Sequence, residues 1–472
     1  MISKHRTLIA DADMGAISEN QLARVEGKKW NILFLYADQH RGMDMGCAGN
    51  GQVMTPTFDR LAREGTFFAN GVANCPVCTP SRAILLTGKY PLTNRAVVND
   101  LPLPTGQDTL ASLLRAQGYR TGYIGKWHLD GIPRSKFTPP GPRRQGFDDF
   151  WAAYNCSHAY FDPKYYLDAP ELVRRPGYEP DIQTDLAIDF IKKYKEEPFF
   201  LMLSWGPPHA PYELVPESYR TMYDPREIQL PRNAINAPQR TVADYYAAIS
   251  ALDHNAGWLL QTLDELGLRE NTLIVYTADH GDMLWSHDRV KKQQPWEESI
   301  RVPLILSAPG LIPAGERCDA LVGTADMAPT LLGLLGVPAP SVMQGWNLSQ
   351  RILAGEGKEH NSVPIMDIVP SDQANIWHGR EWRGVRTKRY TYARWKDLGW
   401  VLYDNQEDPY QTINRIKDPD FAAVRQELEN ELQQWLDKLG DRFLPAQEQL
   451  QELGLSQLFQ ERQEHFHSGK NW

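Results

Sequence analysis

The sequence has few cysteines, no long apolar segment and no excess of positive charge, and each of these shortages excludes a class of protein. Its five cysteines are an odd and sparse set in 472 residues. This argues against a disulfide framework and is typical of a reducing compartment. The sequence shows neither the apolar core of a signal peptide nor a segment able to span a bilayer, so we expect a cytoplasmic protein without membrane attachment.

Acidic residues outnumber basic ones. The chain carries 50 Lys and Arg against 59 Asp and Glu, a net charge of -9. This balance predicts no basic surface for nucleic acid or for an anionic membrane. An anionic substrate would therefore need a pocket that is positive only locally.

Four segments predict strands that deliver polar residues to one edge of a sheet. Most of these segments are apolar runs, which are typical of strands buried on both faces, whereas the one at 119–124 is a short strand that also contains Arg120 and Thr121. The four are Trp30–Ala37, followed by Asp38-Gln39; Tyr119–Ile124, followed by Gly125-Lys126-Trp127-His128; Pro198–Ser204, followed by the segment containing His209; and Thr272–Thr277, followed by Ala278-Asp279-His280. Ligands of open α/β sheets bind beyond the carboxyl ends of the strands, so these polar residues are site candidates.

The pattern changes near Arg380. Before it, helical periodicity predicts helices over 109–117, 242–266 and 325–335, and a fifth strand is predicted over 301–306. After it, alternating segments predict antiparallel strands, followed by a helix over 421–438 and a polar helical arm over 447–472. We therefore predict an N-terminal extension over 1–29, a catalytic domain over 30–380 and a C-terminal subdomain with a helical tail over 381–472. The extension is expected either to wrap over the surface or to mediate homo-oligomer formation.

Cys78 lies at a predicted helix start. Thr79 suits the N-cap, Pro80 suits the first helical position, and Arg82 adds a positive charge one turn later. Amide groups at a helix start favour anions, so a group at position 78 would lie in an anion-stabilising field. Two other interpretations stay open. The residue could be a structural buried cysteine, or it could form a redox pair with Cys75 through the C-x-x-C spacing.

The residues at two strand ends predict a metal site. Asp38, Gln39, Asp279 and His280 offer two carboxylates, an amide oxygen and an imidazole. This oxygen-rich set suits a hard divalent cation, Ca²⁺ first, with Mn²⁺ and Mg²⁺ as alternatives. Structural zinc would favour cysteine and histidine together.

Positively charged and imidazole side chains would surround this metal. They are Arg82, Lys126, His128, His209 and Lys292. Such donors stabilise charge on the oxygens of a transferred sulfuryl or phosphoryl group. The predicted reaction is therefore the hydrolysis of a sulfate or phosphate ester.

These motifs resemble those of a known family. Cys78-Thr79-Pro80-Ser81-Arg82 with Thr87-Gly88 resembles the C-x-P-S-R and T-G signature of the type I (formylglycine-dependent) sulfatases, in the alkaline phosphatase superfamily. Gly125–His128 resembles their second signature, G-K-W-H, and Pro208-His209 and Lys292 also match. The resemblance implies an α/β fold with a large mixed sheet flanked by helices, and a smaller C-terminal α+β domain on a short antiparallel sheet.

The resemblance also implies a chemistry for Cys78. A separate maturation enzyme would oxidise it to formylglycine (3-oxoalanine), whose hydrate is a gem-diol. One hydroxyl attacks sulfur and the other allows the diol to collapse and expel sulfate, whereas a serine would stay sulfated.

Roles for the other residues follow from the same resemblance. The implied metal ligands are Asp38, Gln39, Asp279 and His280. Arg82 would steady the formylglycine, Lys126 would bridge it to sulfate, and His128 would be the base. His209 and Lys292 would bind sulfate and help to protonate the leaving oxygen.

Departures from the family pattern keep alternatives open. Many sulfatases have Asp-Asp and Asp-Asn where this chain has Asp38-Gln39 and Asp279-His280. A phosphonate monoester or phosphodiester hydrolase of the same superfamily is therefore an alternative. A non-catalytic protein that keeps the anion pocket is another. Lys292 is preferred over Lys291 by spacing alone.

The substrate is the least determined feature. Aromatic residues in 147–166 and 376–400, together with Arg143, His158 and Trp377, favour a carbohydrate sulfate over another small organic sulfate. The same aromatic residues could equally belong to the core or to a lid.

Overall fold

The computed structural model describes residues 29–371, 374 and 379–468. Within these residues the chain forms a nine-stranded mixed sheet, a four-stranded antiparallel sheet and a two-stranded sheet. Trp377 and the N-terminal extension up to residue 28 lie outside the described residues.

Fifteen strands are described. In chain order they are β1 Asn31–Asp38, β2 Thr66–Val72, β3 Arg120–Lys126, β4 Phe150–Tyr154, β5 Lys164–Tyr165, β6 Val173–Arg174, β7 Phe199–Pro208, β8 Thr272–Ala278, β9 Arg301–Val302, β10 Leu304–Ser307, β11 Glu316–Gly323, β12 Ser362–Asp367, β13 Trp382–Thr387, β14 Tyr390–Arg394 and β15 Gly399–Asp404.

The α-helices given with both ends are, in chain order, α1 Pro56–Arg63, α2 Cys78–Thr87, α3 Pro91–Asn94, α4 Leu110–Ala116, α5 Glu179–Tyr194, α6 Glu217–Arg220, α7 Gln239–Glu265, α8 Glu297–Ile300, α9 Thr324–Leu334, α10 Ser349–Ala354, α11 Ala422–Leu439, α12 Ala446–Glu452 and α13 Ser456–His467. Among the described residues, no helix is both long enough and apolar enough to cross a membrane.

The large sheet is mixed, as predicted. Its strand order is β11-β2-β10-β8-β1-β7-β3-β4, with β9 paired to β2. Strand β1 is parallel to β7 and β8, and β3 is parallel to β7 and β4, whereas β10 is antiparallel to both of its neighbours. Because β8, β1, β7 and β3 run in the same direction, the polar residues at their carboxyl ends meet at one edge of the sheet.

The centre of this sheet is buried on both faces. Every residue of β1 is buried, and its side chains alternate between two apolar clusters: Ile32, Phe34 and Tyr36 on one face, Leu33, Leu35 and Ala37 on the other. This alternation follows from the two-residue repeat of a strand. A near-continuous apolar run is therefore what a central strand with helices on both sides requires.

The fifth predicted strand, 301–306, is divided. Arg301–Val302 pairs with β2, and Leu304–Ser307 pairs with β2 and β8. Pro303 lies between them. Proline has no N–H to donate to a neighbouring strand, so the ladder is interrupted there.

The antiparallel sheet has the order β12-β13-β14-β15. Three of its strands match the alternating segments after Arg380, whereas β12 was not predicted. Leu428, Leu432 and Leu436 of α11 pack in one apolar cluster with Val385, Tyr392 and Leu402 of this sheet. Because β12, at Ser362–Asp367, belongs to this sheet although it precedes residue 380, the sheet contains residues from both sides of the predicted domain boundary at 380/381. That boundary stays a prediction.

The helix that contains Cys78 begins two residues earlier than expected, and the predicted Thr79 cap is wrong. Cys78 is the first helical residue, and its N-cap is Val77, without a side-chain cap. The Thr79 N–H instead donates to Asn99 Oδ1 at 2.9 Å, and the Thr79 hydroxyl donates to the His128 carbonyl at 2.8 Å. The N–H of Thr79, which has no partner within the first turn of the helix, is thus satisfied by Asn99, 20 residues further along the chain.

Gly125, just before Lys126 at the end of β3, lies where β3 and β7 approach each other closely. Its φ is 103°, and an added Cβ would lie 2.0 Å from the Ser204 carbonyl oxygen of β7. Gly141 has a φ of 104° but no described atom within 4 Å of such a Cβ. We expect Gly141→Ala to cost about 1–3 kcal/mol from backbone strain. Gly125→Ala should cost at least about 2 kcal/mol more, because a backbone clash is added.

Urea unfolding of the two variants beside the unmodified protein measures this difference. Equal losses of unfolding free energy would contradict the close approach of β3 and β7.

Candidate active site

The four strand ends bring their polar residues around one thiol. Cys78 is 2% exposed, and its Sγ lies 3.2 Å from His280 Nε2 and 3.9 Å from Asp38 Oδ1. Lys292 Nζ is 3.2 Å and Lys126 Nζ 3.8 Å from the same sulfur. Asp38, Lys126 and His280, predicted from three separate strand ends, are thus neighbours of Cys78 at the start of α2.

One group of side chains could hold a metal ion. Single ligand atoms of Asp38, Cys78, Asp279 and His280 all lie within 4.8 Å of one another, and all four residues are buried. His280 Nδ1 lies 2.9 Å from the Gly281 carbonyl oxygen, so this nitrogen carries the proton. Its Nε2 lone pair is therefore left to face Cys78 and the carboxylates, as in a metal-ligating histidine.

The two carboxylates have opposite pKa shifts. Burial alone would raise the pKa of Asp38, but Lys126, His209 and Lys292 hold it well below its usual value. Burial and the charge of Asp38 raise the pKa of Asp279. A cation between these two carboxylates would relieve their repulsion, and the donor set fits a divalent ion.

Gln39 lies beside the carboxylates in a fixed orientation. Its Nε2 donates to Asp282 Oδ2 at 2.6 Å, and its Oε1 accepts from Lys292 at 2.9 Å. Asp282 also accepts the Tyr212 hydroxyl at 2.6 Å. The carboxylate fixes which end of the amide is the nitrogen, so the oxygen faces Lys292.

The backbone of Gln39 is strained. Its φ is 69°, and its N–H donates to Asp279 Oδ1 at 3.0 Å. A left-handed conformation costs about 1–2 kcal/mol for a residue with a Cβ. The turn after β1 is thus held in this shape by a bond to the carboxylate at the end of β8.

Arg82 joins three of the strand ends. Its Nε and Nη2 donate to Asp279 Oδ2 at 3.1 and 2.9 Å, and its Nη1 donates to the Lys126 carbonyl and to Ser204 Oγ at 3.0 and 2.8 Å. Burial disfavours its charge, but Asp279 keeps the pKa well above its usual value. Arg82 is therefore a permanent cation that orients one carboxylate of the site.

Lys126 and Lys292 place two amino groups beside the thiol. Lys126 donates to Asp38 Oδ2, and although burial disfavours its charge, Asp38 raises its pKa. Lys292 Nζ lies 2.9 Å from His209 Nε2. Burial raises the pKa of Cys78, but Lys126 and Lys292 lower it well below the usual value. The pocket therefore stabilises negative charge at its centre inside an acidic protein.

His209 is held as a neutral ring. Its Nδ1 lies 2.7 Å from the Ala210 carbonyl and donates to it, so Nε2 accepts from Lys292. Burial, His158 and Lys292 all lower its pKa well below the usual value.

His158 also belongs to the site. Its ring stacks on His209 with centroids 4.0 Å apart, and its Nε2 lies 3.5 Å from Lys126 Nζ. Asp38, His158 and His209 form a second group close enough to share a metal. Because two lysine amino groups already contact Asp38 and His209, we interpret this side of the site as an anion pocket.

His128 belongs to a separate buried network. Its Nε2 lies 2.9 Å from Asp100 Oδ1, and Asp100 accepts from Arg134 at 2.8 and 3.0 Å. Its Nδ1 is buried, and the Cys156 side chain interacts with the ring. Burial lowers the pKa of His128, but Cys156 and Asp100 raise it to about 10.

Sequence reasoning missed several residues of the site. Asp100, Arg134 and Cys156 surround His128, and Asp282 orients Gln39. Asp100, Arg134 and Cys156 lie outside the predicted motifs, whereas Asp282, four residues beyond β8 and close to Asp279, could have been found from its position. Arg143 pairs with Asp130.

The aromatic residues of 147–166 divide between core and surface. Trp151, Tyr160 and Tyr165 are buried, whereas Phe161 is 43% exposed.

Cys75 lies in an apolar cluster where burial raises its thiol pKa well above the usual value. Both Cys75 and Cys78 are free thiols.

Known sulfatases resemble this chain over most of its length. The sequence model of the sulfatase family matches residues 30–337, and that of the C-terminal part of N-sulphoglucosamine sulphohydrolase matches 286–438. An ulvan-active sulfatase of Formosa agariphila is 40% identical over 89% of this chain and 83% of its own length. An N-acetylglucosamine-6-O-sulfatase of Bacteroides thetaiotaomicron is 29% identical over 85% of each chain.

Solved structures show the same fold. One, in complex with its substrate D-glucosamine-2-N,6-O-disulfate, has a TM-score of 0.79 at 26% identity and covers 88% of this chain and 99% of that one. A phosphonate monoester hydrolase of Agrobacterium radiobacter has a TM-score of 0.70 at 23% identity over 88% and 96% of the two chains. That last likeness shows the shared fold alone.

The pKa of His128 leads to a pH-dependent stability. A folded-state pKa of about 10, above the usual 6.5, contributes stability that is fully present below pH 6.5 and is lost as pH rises through 10. His128→Gln should therefore destabilise the protein by a few kcal/mol at pH 6 and by much less at pH 10. Urea unfolding of both proteins at pH 6, 8 and 10 measures this, and a pH-independent difference would contradict it.

Proposed function

This chain belongs to the sulfatase family, and we propose that it hydrolyses a carbohydrate sulfate ester with residue 78 as the nucleophile. As a sulfatase it is a sulfuric ester hydrolase, and its family implies a divalent metal and a formylglycine. The observation that carries the proposal is the position of Cys78 Sγ, 3.2 Å from both His280 Nε2 and Lys292 Nζ. A nucleophile at this position would have metal ligands on one side and anion-binding groups on the other.

The nucleophile requires the maturation of Cys78. Formylglycine at this position would supply a gem-diol in place of the thiol, and a bound divalent metal would supply the Lewis acidity that eases loss of a hydroxyl proton. We propose Asp38, Asp279, His280 and Gln39 as ligands, with Ca²⁺ as the ion. Cys78 is 2% exposed, so we propose that a maturation enzyme acts on it before the fold closes.

Lys126, Lys292 and His209 would bind the sulfate group. Both lysine amino groups lie within 3.8 Å of Sγ, where they can donate to sulfuryl oxygens without being moved far. Preorganised donors of this kind are worth about 10²–10³ in rate each. The hydrogen bond between Lys292 and His209 would also pass a proton towards the leaving oxygen.

Arg82 and His128 would act at the other end of the reaction. Arg82 would orient Asp279 and steady residue 78 from the helix start, which it follows by one turn. His128 would accept the proton whose loss releases sulfate. Because Asp100 and Cys156 raise its pKa to about 10, this step should become faster as pH rises.

The proposal that the substrate is a sugar is supported by the related proteins. The names of the related sulfatases include an amino sugar, and one structural neighbour was solved with a sulfated glucosamine as its substrate. His158, half-buried and stacked on His209, would contact the side of the substrate that leaves. The phosphonate hydrolase alternative has the support of the fold alone.

Desulfation of a panel of sulfated mono- and disaccharides, beside an aryl sulfate and an aryl phosphonate monoester, tests the function. We expect sulfate esters to be hydrolysed with the higher kcat/KM. Protein co-expressed with a maturation enzyme should carry formylglycine at residue 78 by mass spectrometry of its tryptic peptide. A preference for the phosphonate, or an unmodified thiol in active protein, would overturn the proposal.

Two pairs of variants sharpen this test. Cys78→Ala should abolish turnover, whereas Cys75→Ala should keep it, since Cys78 lies within 3.8 Å of two lysine amino groups and Cys75 lies in an apolar cluster. Lys292→Ala should lower kcat by about 10²-fold or more, whereas Lys291→Ala should have little effect. Full turnover by Cys78→Ala would instead favour a role for the pocket in binding alone.

The metal proposal has its own test. After treatment with a chelator, the Tm should fall, and addition of Ca²⁺ at 100 times its Kd should restore about 2.7 kcal/mol of stability. Ca²⁺, Mn²⁺ and Mg²⁺ are compared at equal concentration. Asp38→Asn should abolish the rise in Tm, and a response to metal that survives in this variant would place the ion elsewhere.

A further inference from the structure

The last described helix, α13, buries an arginine. Its residues run from Ser456 to His467, beyond residues 286–438 that match the C-terminal family model. Within this helix only Arg462 is buried, at 4% exposure. A surface helix normally buries an apolar stripe, and a buried arginine requires partners for its charge.

Arg462 binds two consecutive residues of a distant loop. Its Nε donates to the Asn99 carbonyl at 2.8 Å, and its Nη2 lies 3.4 Å from Asp100 Oδ2. The ring centroid of Phe466, on the same helix, is 4.9 Å from the guanidinium carbon of Arg462 and 4.9 Å from that of Arg134. Helix α13 thus supports both arginines that pair with Asp100.

Asn99 and Asp100 connect the nucleophile to the proposed base. Asn99 Oδ1 accepts the Thr79 N–H at 2.9 Å, in the first turn of the helix that begins at Cys78. Asp100 Oδ1 lies 2.9 Å from His128 Nε2. Asp100 itself has a φ of 65°, a conformation that its surroundings must hold in place.

We propose that Arg462 is a positioning residue for His128: the C-terminal helix completes the active site by clamping the Asn99-Asp100 pair. This inference rests on the sulfatase function and on the role of His128 proposed above. Arg462 does not touch the site of reaction. It acts by fixing the Asp100 carboxylate, which in turn fixes the ring and the proton of His128.

The groups around this pair predict how charge responds to a change at Arg462. Asp100 is faced by His128, Arg134 and Arg462, and His128 is faced by Asp100 and Cys156. Removing the Arg462 charge leaves Asp100 with less positive charge around it. His128 should then hold its proton more strongly, and its pKa should rise.

The test compares full-length matured variants on an aryl sulfate. Arg462→Gln should lower kcat about 10-fold, with KM within about threefold of the unmodified protein. The acidic limb of its kcat–pH profile should move to higher pH. Arg462→Lys keeps the charge but lacks the forked donor set, so it should recover part of the loss and most of the shift.

Two controls separate positioning from general stability. Arg442→Gln removes an arginine whose side chain is 65% exposed and pairs with Glu452 in the same C-terminal region. Gln457→Ala removes an exposed Gln457–Glu461 hydrogen bond of α13 itself. Both should leave kcat and the pH profile unchanged.

An Arg462→Gln variant with normal kcat and an unmoved pH profile would overturn the inference while leaving the sulfatase function intact. The same follows if its loss of rate is matched by either control, or is not recovered by Arg462→Lys. If the unmodified protein hydrolyses no sulfate ester, the proposed function itself fails.

Discussion

Asp38 and Asp279 lie fully buried beside Cys78, and the burial of two neighbouring carboxylates is the constraint that the rest of the site satisfies. Unpaired charge is costly in a protein interior, so each carboxylate needs fixed partners. Asp38 has Lys126, and Asp279 has two N–H groups of Arg82. The ends of β1, β8 and β3 and the start of α2 must therefore keep their relative positions, and a cation between the carboxylates would complete the balance.

Side chains of the same type have opposite pKa shifts within this site, because their immediate surroundings differ. Burial and nearby cations keep His209 neutral, whereas Cys156 and Asp100 favour the charged form of His128 despite its burial. Asp38 is held ionised while the pKa of Asp279 is raised. Pairs of titratable groups whose pKa values are pushed apart are typical of sites that move protons. The surroundings thus favour opposite protonation states for the two histidines.

Predictions from local sequence succeeded where a motif and a strand end coincide. The segments before Asp38, Lys126, His209 and Asp279 are strands of one mixed sheet, and the apolar runs before Asp38, His209 and Asp279 are buried on both faces at its centre. Predictions failed where a distant residue decides the local structure. Thr79, the predicted cap, is itself inside the helix and donates its N–H to Asn99, and Pro303 divides a segment whose composition favours a single strand. The roles of individual site residues stay predictions.

The family and the side chains that meet at one edge of the sheet could be predicted from the sequence, since these depend on strand-forming segments and on short motifs that act locally, and the mixed sheet followed from the resemblance that the motifs carry. Only the tertiary structure decided which partners those side chains have. Asp282 orients Gln39 from the end of another strand, and Asp100 reaches His128 across 28 residues. Arg462 reaches Asp100 across 362 residues. Such pairings leave no periodicity or spacing in the sequence, because a hydrogen bond depends on distance in the folded chain and not on separation along it.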